Sequence, residues 1–259
     1  MTKTQIYAKY GITYKNGKIY HKTLGFINEL LIDGNSKIGK GVWHFSTLPT
    51  NKIFTCDING KTYEIKGTCP CYCDGCYATK GNYRFSSVIN SLGIRTWLVY
   101  NDLAFVKACI LAQIEINSIQ FVRIHASGDF FSVEYVEMWQ DIARTCENTH
   151  FWTYTKYASA ETMFNDIDNA NIVKSIIKGK GFNFGHCDYI IALYDYLTSI
   201  GKSVYICRCG IDKNQHCTNC KGCSKHEYVL FIEHSTEYNA ENDALYPILK
   251  DIIERQNQQ

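Results

Sequence analysis

Apolar and polar positions along the chain follow two different rhythms, and the change between them falls near residue 97. Before it, short alternating pieces such as KIFTCDI and KTYEIKG sit among Gly, Lys, Tyr and Asn. Alternation of that kind predicts short strands and loops over residues 1–66. After it, Phe105, Ala108, Cys109 and Ala112 recur at helical spacing and predict a helix over 102–116, with Asp102 as its cap. IQFVRIHA (119–126) is short and β-rich, and Gly128 ends it. Ser132 then caps a predicted helix, SVEYVEMWQDIAR, whose first turn carries Glu134. HFWTYTK (150–156) reads as the next strand, and Ser159 as the cap of the helix after it. FNF (182–184) is a short strand candidate, and HCDYIIALYDYLTSI (186–200) a helix stopped by Gly201. SVYIC (203–207) and EYVLFIEH (227–234) are further strands, followed by a last helix near 240–255.

Strands and helices alternate through this half, which predicts a parallel sheet with helical crossovers. In such folds the loops at the carboxyl ends of the strands build the active site. Two conspicuous segments fall there: SGDF after the 119–126 strand, and a cysteine-rich stretch after the 203–207 strand. The expected organisation is a strand and loop region over 1–66 packed on the core, a core over 67–206, and a cysteine-rich C-terminal part over 207–259.

The 259 residues suffice for one large α/β domain or two small ones, and 46% hydrophobic content is ordinary for a globular chain. A formal net charge of +2 provides no broad electrostatic footprint for nucleic acid. The N-terminus lacks the apolar core of a secretory signal, and no stretch approaches the roughly 20 apolar residues needed to span a bilayer. The expectation is a cytoplasmic protein with no membrane partner.

Cysteine changes this picture. There are 13, an odd number, and most fall within 69–76 and 207–223. In a reducing compartment, clustered thiols point to metal ligation rather than to disulfides. Cys109 and Cys146 read instead as core residues. In GTCPCYCDGCYA, Cys69, Cys73 and Cys76 form C-x3-C-x2-C, with Cys71 surplus. Three thiolates on one face of a [4Fe–4S] cubane leave an iron open for chemistry, and this spacing is the signature of radical S-adenosylmethionine enzymes. Structural zinc is the plainer reading, although four thiols within eight residues crowd its tetrahedron. In the second stretch, Cys217, Cys220 and Cys223 repeat a ferredoxin-like C-x2-C-x2-C run. Cys209 is the expected fourth ligand, Cys207 the alternative, and the centre is a second [4Fe–4S] or zinc. His216 reads as a neighbour of that centre rather than a ligand.

NSKIGKGVWHFSTLPTNKIF, GTCPCYCDGCYATKGNYRF, FVRIHASGDFFSVEYVEMWQDIA, FWTYTK and the second cysteine stretch occur in that order. Together they resemble the bacteriophage gene-product-88 family, phage and prophage proteins related to radical S-adenosylmethionine enzymes. The resemblance covers roughly residues 35–235. It implies a partial (βα) barrel of radical S-adenosylmethionine type with a cysteine-rich C-terminal insertion. It also implies that Cys69, Cys73 and Cys76 hold the cluster. Ser127, Gly128 and Asp129 match a turn that holds the amino group of the cofactor's methionine, with Asp129 replacing a longer glutamate. The aromatic residue usual before the third cysteine is absent; Gly75 stands there, and Tyr77 follows Cys76. Arg123 and His125, on one face of an alternating strand, and Lys156 at the end of the next are pocket candidates.

Two functions follow. One is an enzyme that uses an external electron donor and S-adenosylmethionine to act on a nucleotide, another small molecule, a nucleic-acid base or a peptide. The alternative is a zinc- or iron–sulfur-stabilised binding module that stacks nucleic acid on its aromatic residues. For SGDF the competing account is a plain turn, with Gly128 making the bend and Asp129 satisfying helix N–H groups.

Overall fold

The protein is described from a computed structural model over residues 1–34, 38–70, 76–175, 184–208, 217–220, 222–232 and 239–256. Thr2 and Gln5 close a capping box at the start of α1 (Lys3–Lys9). A small antiparallel sheet follows from β1 (Thr13–Lys15), β2 (Lys18–His21) and β3 (Gly25–Ile27). After β4 (Ile32–Asp33) and β5 (Trp43–His44) comes a hairpin of β6 (Ile53–Ile58) and β7 (Lys61–Lys66). Asn59 and Gly60 turn that hairpin, both at positive φ, as a tight two-residue turn requires. The rest of the chain forms α2 (Ser86–Asn101), α3 (Leu103–Asn117), β8 (Phe121–Arg123), α4 (Val133–Thr145), β9 (His150–Thr155), α5 (Ala158–Met163) and β10 (Ala170–Lys174). It ends in β11 (Phe184–Gly185), α6 (Cys187–Ser199), β12 (Val204–Ile206), α7 (Cys217–Cys220), β13 (Tyr228–Ile232) and α8 (Tyr246–Gln256).

Local signals place several of these elements. Asp102 accepts from the Phe105 N–H at 3.0 Å at the start of α3, and Ser132 accepts from the Tyr135 N–H at 3.2 Å at the start of α4. Gly201, at φ 75°, follows α6. Other expectations shift. The 119–126 strand is only β8, because His125 adopts φ 63° and leaves the extended conformation. Ser159 lies inside α5 rather than at its cap. The last helix starts at Tyr246, after a short 3-10 turn at Ala240–Asn242. Of FNF, only Phe184 lies among the described residues, at the start of β11. Helix α2 has no counterpart in the sequence reading. It carries several β-branched residues and Gly93, where a Cβ would stand 2.6 Å from Cys56 Sγ. That glycine lets the helix sit directly on the β6–β7 hairpin, and tertiary contact overrides a modest helix propensity.

The central sheet has the order β10-β9-β8-β5-β4. Strands β5, β8, β9 and β10 are parallel and adjacent in chain order, and β4 adds an antiparallel edge. The N-terminal region therefore supplies two strands of this sheet rather than only packing on it. The expected run of parallel strands is also divided. β12 and β13 leave the central sheet and join β11 in a separate parallel sheet, order β11-β13-β12. A boundary at residue 206 would cut that sheet. Among the described residues the strands form four sheets and no closed barrel.

Side-chain alternation on the central sheet defines two compartments. Val122, Ile124 and Phe151 face α3 and α4 and share one core with Phe45, Trp139 and the N-terminal region. On the other face, Phe121, Trp152 and Tyr154 pack with Tyr205, Val229 and Phe231 and with the second cysteine stretch. Among the described residues no helix is long and apolar enough to cross a membrane.

Candidate functional site

The segment that continues β5, Phe45 to Thr50, holds the first cysteine stretch against the SGD turn. The Thr47 N–H donates to the Ser127 carbonyl at 3.0 Å, and Ser127 Oγ donates back to the Thr47 carbonyl at 2.8 Å. The Thr68 N–H donates to the Leu48 carbonyl, and the Cys69 N–H to the Thr50 carbonyl, both at 3.0 Å. The Thr50 N–H approaches Cys69 Sγ at 3.2 Å. Thr68 Oγ1 meets Thr47 Oγ1 at 2.7 Å and accepts the Asp129 N–H at 3.0 Å. The residue before Cys69 is thus bonded directly to the residue after Gly128. Gly128 is required there: it sits at φ 83°, and a Cβ would fall 1.8 Å from Thr47 Oγ1.

Asp129 is 4% exposed. Oδ1 accepts from its neighbour's Phe130 N–H at 2.7 Å and from Thr155 Oγ1 at 2.6 Å, and Oδ2 from the Lys156 N–H at 2.8 Å. Burial raises its carboxyl to about 6, with those donors and the Lys156 charge pulling the other way. Asp129 caps no helix, since Ser132 caps α4; it ties the SGD turn to the end of β9. A carboxylate offers about four acceptor positions, so Oδ2, with its single partner, retains room for another donor.

Tyr77 follows Cys76 with its ring 54% exposed and its hydroxyl bonded to the Ala126 carbonyl. Burial of that hydroxyl raises it to about 12; Arg123 lowers it, and Cys76 and Cys69 raise it. The phenol therefore lies within electrostatic reach of both described cysteines of the first stretch. Cys71, Cys73 and Gly75 lie outside the described residues.

Arg123 and His125 do not share a face. The left-handed backbone at His125 turns its ring into the helix-side core, where Nε2 meets Tyr135 Oη at 2.8 Å and the ring lies edge-on to Phe130. Burial, and then Arg123, lower His125 to about 3, so it is a neutral core residue. Arg123 faces the other compartment. Its guanidinium carbon lies 5.0 Å from the Tyr154 ring centroid. Burial opposes its charge, but Tyr77, Tyr154, Cys217 and Cys223 outweigh this and hold it protonated. Arg123 is thus held by the second cysteine stretch and by Tyr77, the residue after Cys76.

In the second stretch, Cys217 and Cys220 occupy α7, and Cys223 and Cys207 are buried in the same apolar cluster. Tyr205 Oη lies 2.9 Å from Cys220 Sγ. Burial pushes the Cys223 thiol up to about 12, opposed by a hydrogen bond from Tyr154 and reinforced by Cys217 and Cys220. Asn171 Nδ2 holds the local backbone by donating to the Cys223 and His226 carbonyls. Cys209 and His216 lie outside the described residues. Among the described residues no two cysteines form a disulfide, and no three His, Cys, Asp or Glu side chains assemble a metal site. Cys109 is fully buried and Cys146 partly so, in the main core.

Sequence reading did not single out Thr47, Thr68, Thr155, Tyr154 or Tyr205. Thr68 adjoins Cys69 and Thr155 adjoins Lys156, so adjacency to named candidates was the available signal.

The Gene 88 protein of Mycobacterium phage D29 is 34% identical over 83 residues, covering 27% of this chain and 34% of that protein. The Gene 88 protein of Mycobacterium phage L5 is 30% identical over a stretch of the same extent. The chain thus spans about a third of the length of these curated relatives. No solved structure matches it. The family model for gene product 88 matches residues 28–180, more than half of the chain and the whole of the seam from β5 through Cys69 to Asp129, and the chain belongs to that family.

Proposed function

We propose that the chain is a radical S-adenosylmethionine-like iron–sulfur enzyme of phage or prophage type, with its site at the carboxyl ends of β5, β8 and β9. The observation that supports this reading is the Thr68 bridge, which joins the C-x3-C-x2-C stretch to the SGD turn. The run of adjacent parallel strands from β5 to β10 supports a partial (βα) barrel as its scaffold. Cys69, Cys73 and Cys76 would hold a [4Fe–4S] centre, which with an external electron donor supplies reductive cleavage of S-adenosylmethionine. The chain's own contribution is positional. Gly128 brings the turn against Thr47 and Thr68. Asp129, held by Thr155 and the Lys156 N–H, offers Oδ2 to an amino group, with Ser127 and Tyr77 beside it. Cys217, Cys220 and Cys223, with Cys209 or Cys207, would hold a second [4Fe–4S] or zinc centre.

Anaerobic purification, metal counting and assay of 5′-deoxyadenosine test the proposal. Reduced wild type should be iron-loaded and should form 5′-deoxyadenosine, and Cys76→Ala should lose the iron of the first centre and all 5′-deoxyadenosine formation. Iron-loaded, reduced wild type that neither binds S-adenosylmethionine nor cleaves it would refute the enzyme. A colourless zinc protein would favour the binding-module alternative.

A further inference from the structure

Two guanidinium groups reach the same buried region from different elements. Arg95, on the inner side of α2, is 5% exposed. Its Nε donates to the Ser46 carbonyl at 2.8 Å, and its terminal nitrogens have no hydrogen bond or ion pair among the described residues. Arg123 arrives from β8, and its buried Nε has no hydrogen-bond partner among the described residues. His44 links the two: it is in register with Arg123 across β5 and β8, and its Nδ1 lies 3.1 Å from Oγ of Ser46, the residue whose carbonyl Arg95 holds. Burial, Arg95 and Arg123 together lower His44 to about 4, so it is neutral and adds hydrogen-bonding capacity rather than charge. Tyr83 completes the group: its phenol feels burial first, then Arg123, a hydrogen bond with Ser127, Cys76 and Arg95.

No carboxylate among the described residues pairs with either arginine. Asp129 is engaged by Thr155 and Lys156 at the end of β9. Arg95 is thus a buried guanidinium with no carboxylate beside it among the described residues, which is unfavourable unless an anion completes it, and Arg123 brings a second cation. We propose that Arg95 and Arg123, with His44, Ser46 and Tyr83, form an oxyanion site that takes the phosphate of a phosphomonoester substrate. Two cations match a dianion better than a singly charged carboxylate. Donors from a helix and from two strands exceed what two carboxylate oxygens can use, whereas three terminal phosphate oxygens accept them all. Because the Tyr83 ring lies 6.0 Å from the ring of Tyr77, the residue after Cys76, the phosphate would anchor substrate beside the first cysteine stretch. The site itself does not depend on the radical chemistry.

Calorimetry with inorganic phosphate on the protein as purified tests this, with acetate as the control anion. Wild type should bind phosphate in preference to acetate. Arg95→Gln should weaken phosphate by roughly ten- to hundredfold, with partial recovery in Arg95→Lys. Folded Arg95→Gln with wild-type affinity, or wild type that binds no phosphate at millimolar concentration, overturns the proposal. So does an Arg95→Gln protein that loses iron and keeps phosphate, because the arginine is then the counter-charge of the cysteine centre. If Arg95→Gln does not fold, phosphate should protect Arg95 and Arg123 of wild type from phenylglyoxal, read by mass spectrometry, and equal modification with and without phosphate overturns it. Phosphate binding without 5′-deoxyadenosine formation would count against the radical enzyme alone.

Discussion

Replacing Asp129 by asparagine removes the proton-binding group at the centre of the seam and nearly preserves its shape. The carboxyl is 4% exposed and raised from 3.8 to about 6, chiefly by burial. At about 1.36 kcal/mol per pH unit, that difference is worth about 3 kcal/mol. The native state binds the proton more tightly than the unfolded chain does. The stabilising contribution is therefore fully present below 3.8 and is lost as pH rises through about 6. Urea unfolding of wild type and Asp129→Asn at a series of pH values isolates the effect, because other titrating groups cancel in the difference. The stability of wild type relative to the variant should fall by about 2.4 kcal/mol between pH 4 and pH 7. A constant offset is expected as well. The asparagine amide can turn its oxygen toward the Thr155 and Phe130 donors or toward the Lys156 N–H, but not toward both. A difference that does not vary with pH, or that grows toward neutrality, would refute the burial argument. An ammonium group arriving at Oδ2 would favour the ionised form, so binding of S-adenosylmethionine should weaken as pH falls below about 6.

Two further substitutions probe how the site is held. Gly128→Ala forces a Cβ to within 1.8 Å of Thr47 Oγ1 at a positive φ, and urea denaturation should show a loss of at least about 3 kcal/mol; wild-type stability would mean that the turn is not packed as described. Gln113→Ala strips the partner from the Leu30 and Leu31 N–H groups and from the Leu31 carbonyl, all buried. Thermal unfolding should report a loss of about 2–5 kcal/mol, and a change below about 1 kcal/mol would contradict the bonding.

Helices α3, α4 and α6 were legible because their signals are local. An apolar stripe recurs at helical spacing, and Asp102, Ser132 and Gly201 mark the ends within one turn of the residues they serve. Strands β9 and β13 were legible as short β-rich runs bounded by polar residues. Helix α2 was not, because its stability comes from the hairpin that Gly93 admits, and the hairpin lies some thirty residues earlier in the chain.

The sequence by itself determined which chemistry is available: clustered thiols in two stretches, a Gly-Asp turn after a strand, and an arginine in that strand. It also determined the family, whose model matches residues 28–180 and so spans the first thiol stretch and the Gly-Asp turn. Tertiary structure alone decided which of these groups meet. Whether Arg123 and His125 share a face depended on one backbone angle at His125, which period-two reasoning assumes to be extended. Whether Asp129 caps a helix or ties two strand ends depended on Thr155 and Lys156, which approach it from another strand. Thr68 joins the first cysteine stretch to the SGD turn across about sixty residues of chain, and Arg95 reaches the Ser46 carbonyl only because α2 packs against the segment after β5. Such contacts carry no local periodicity or spacing, because side chains that meet across strands are selected by distance in the fold and not by separation along the chain.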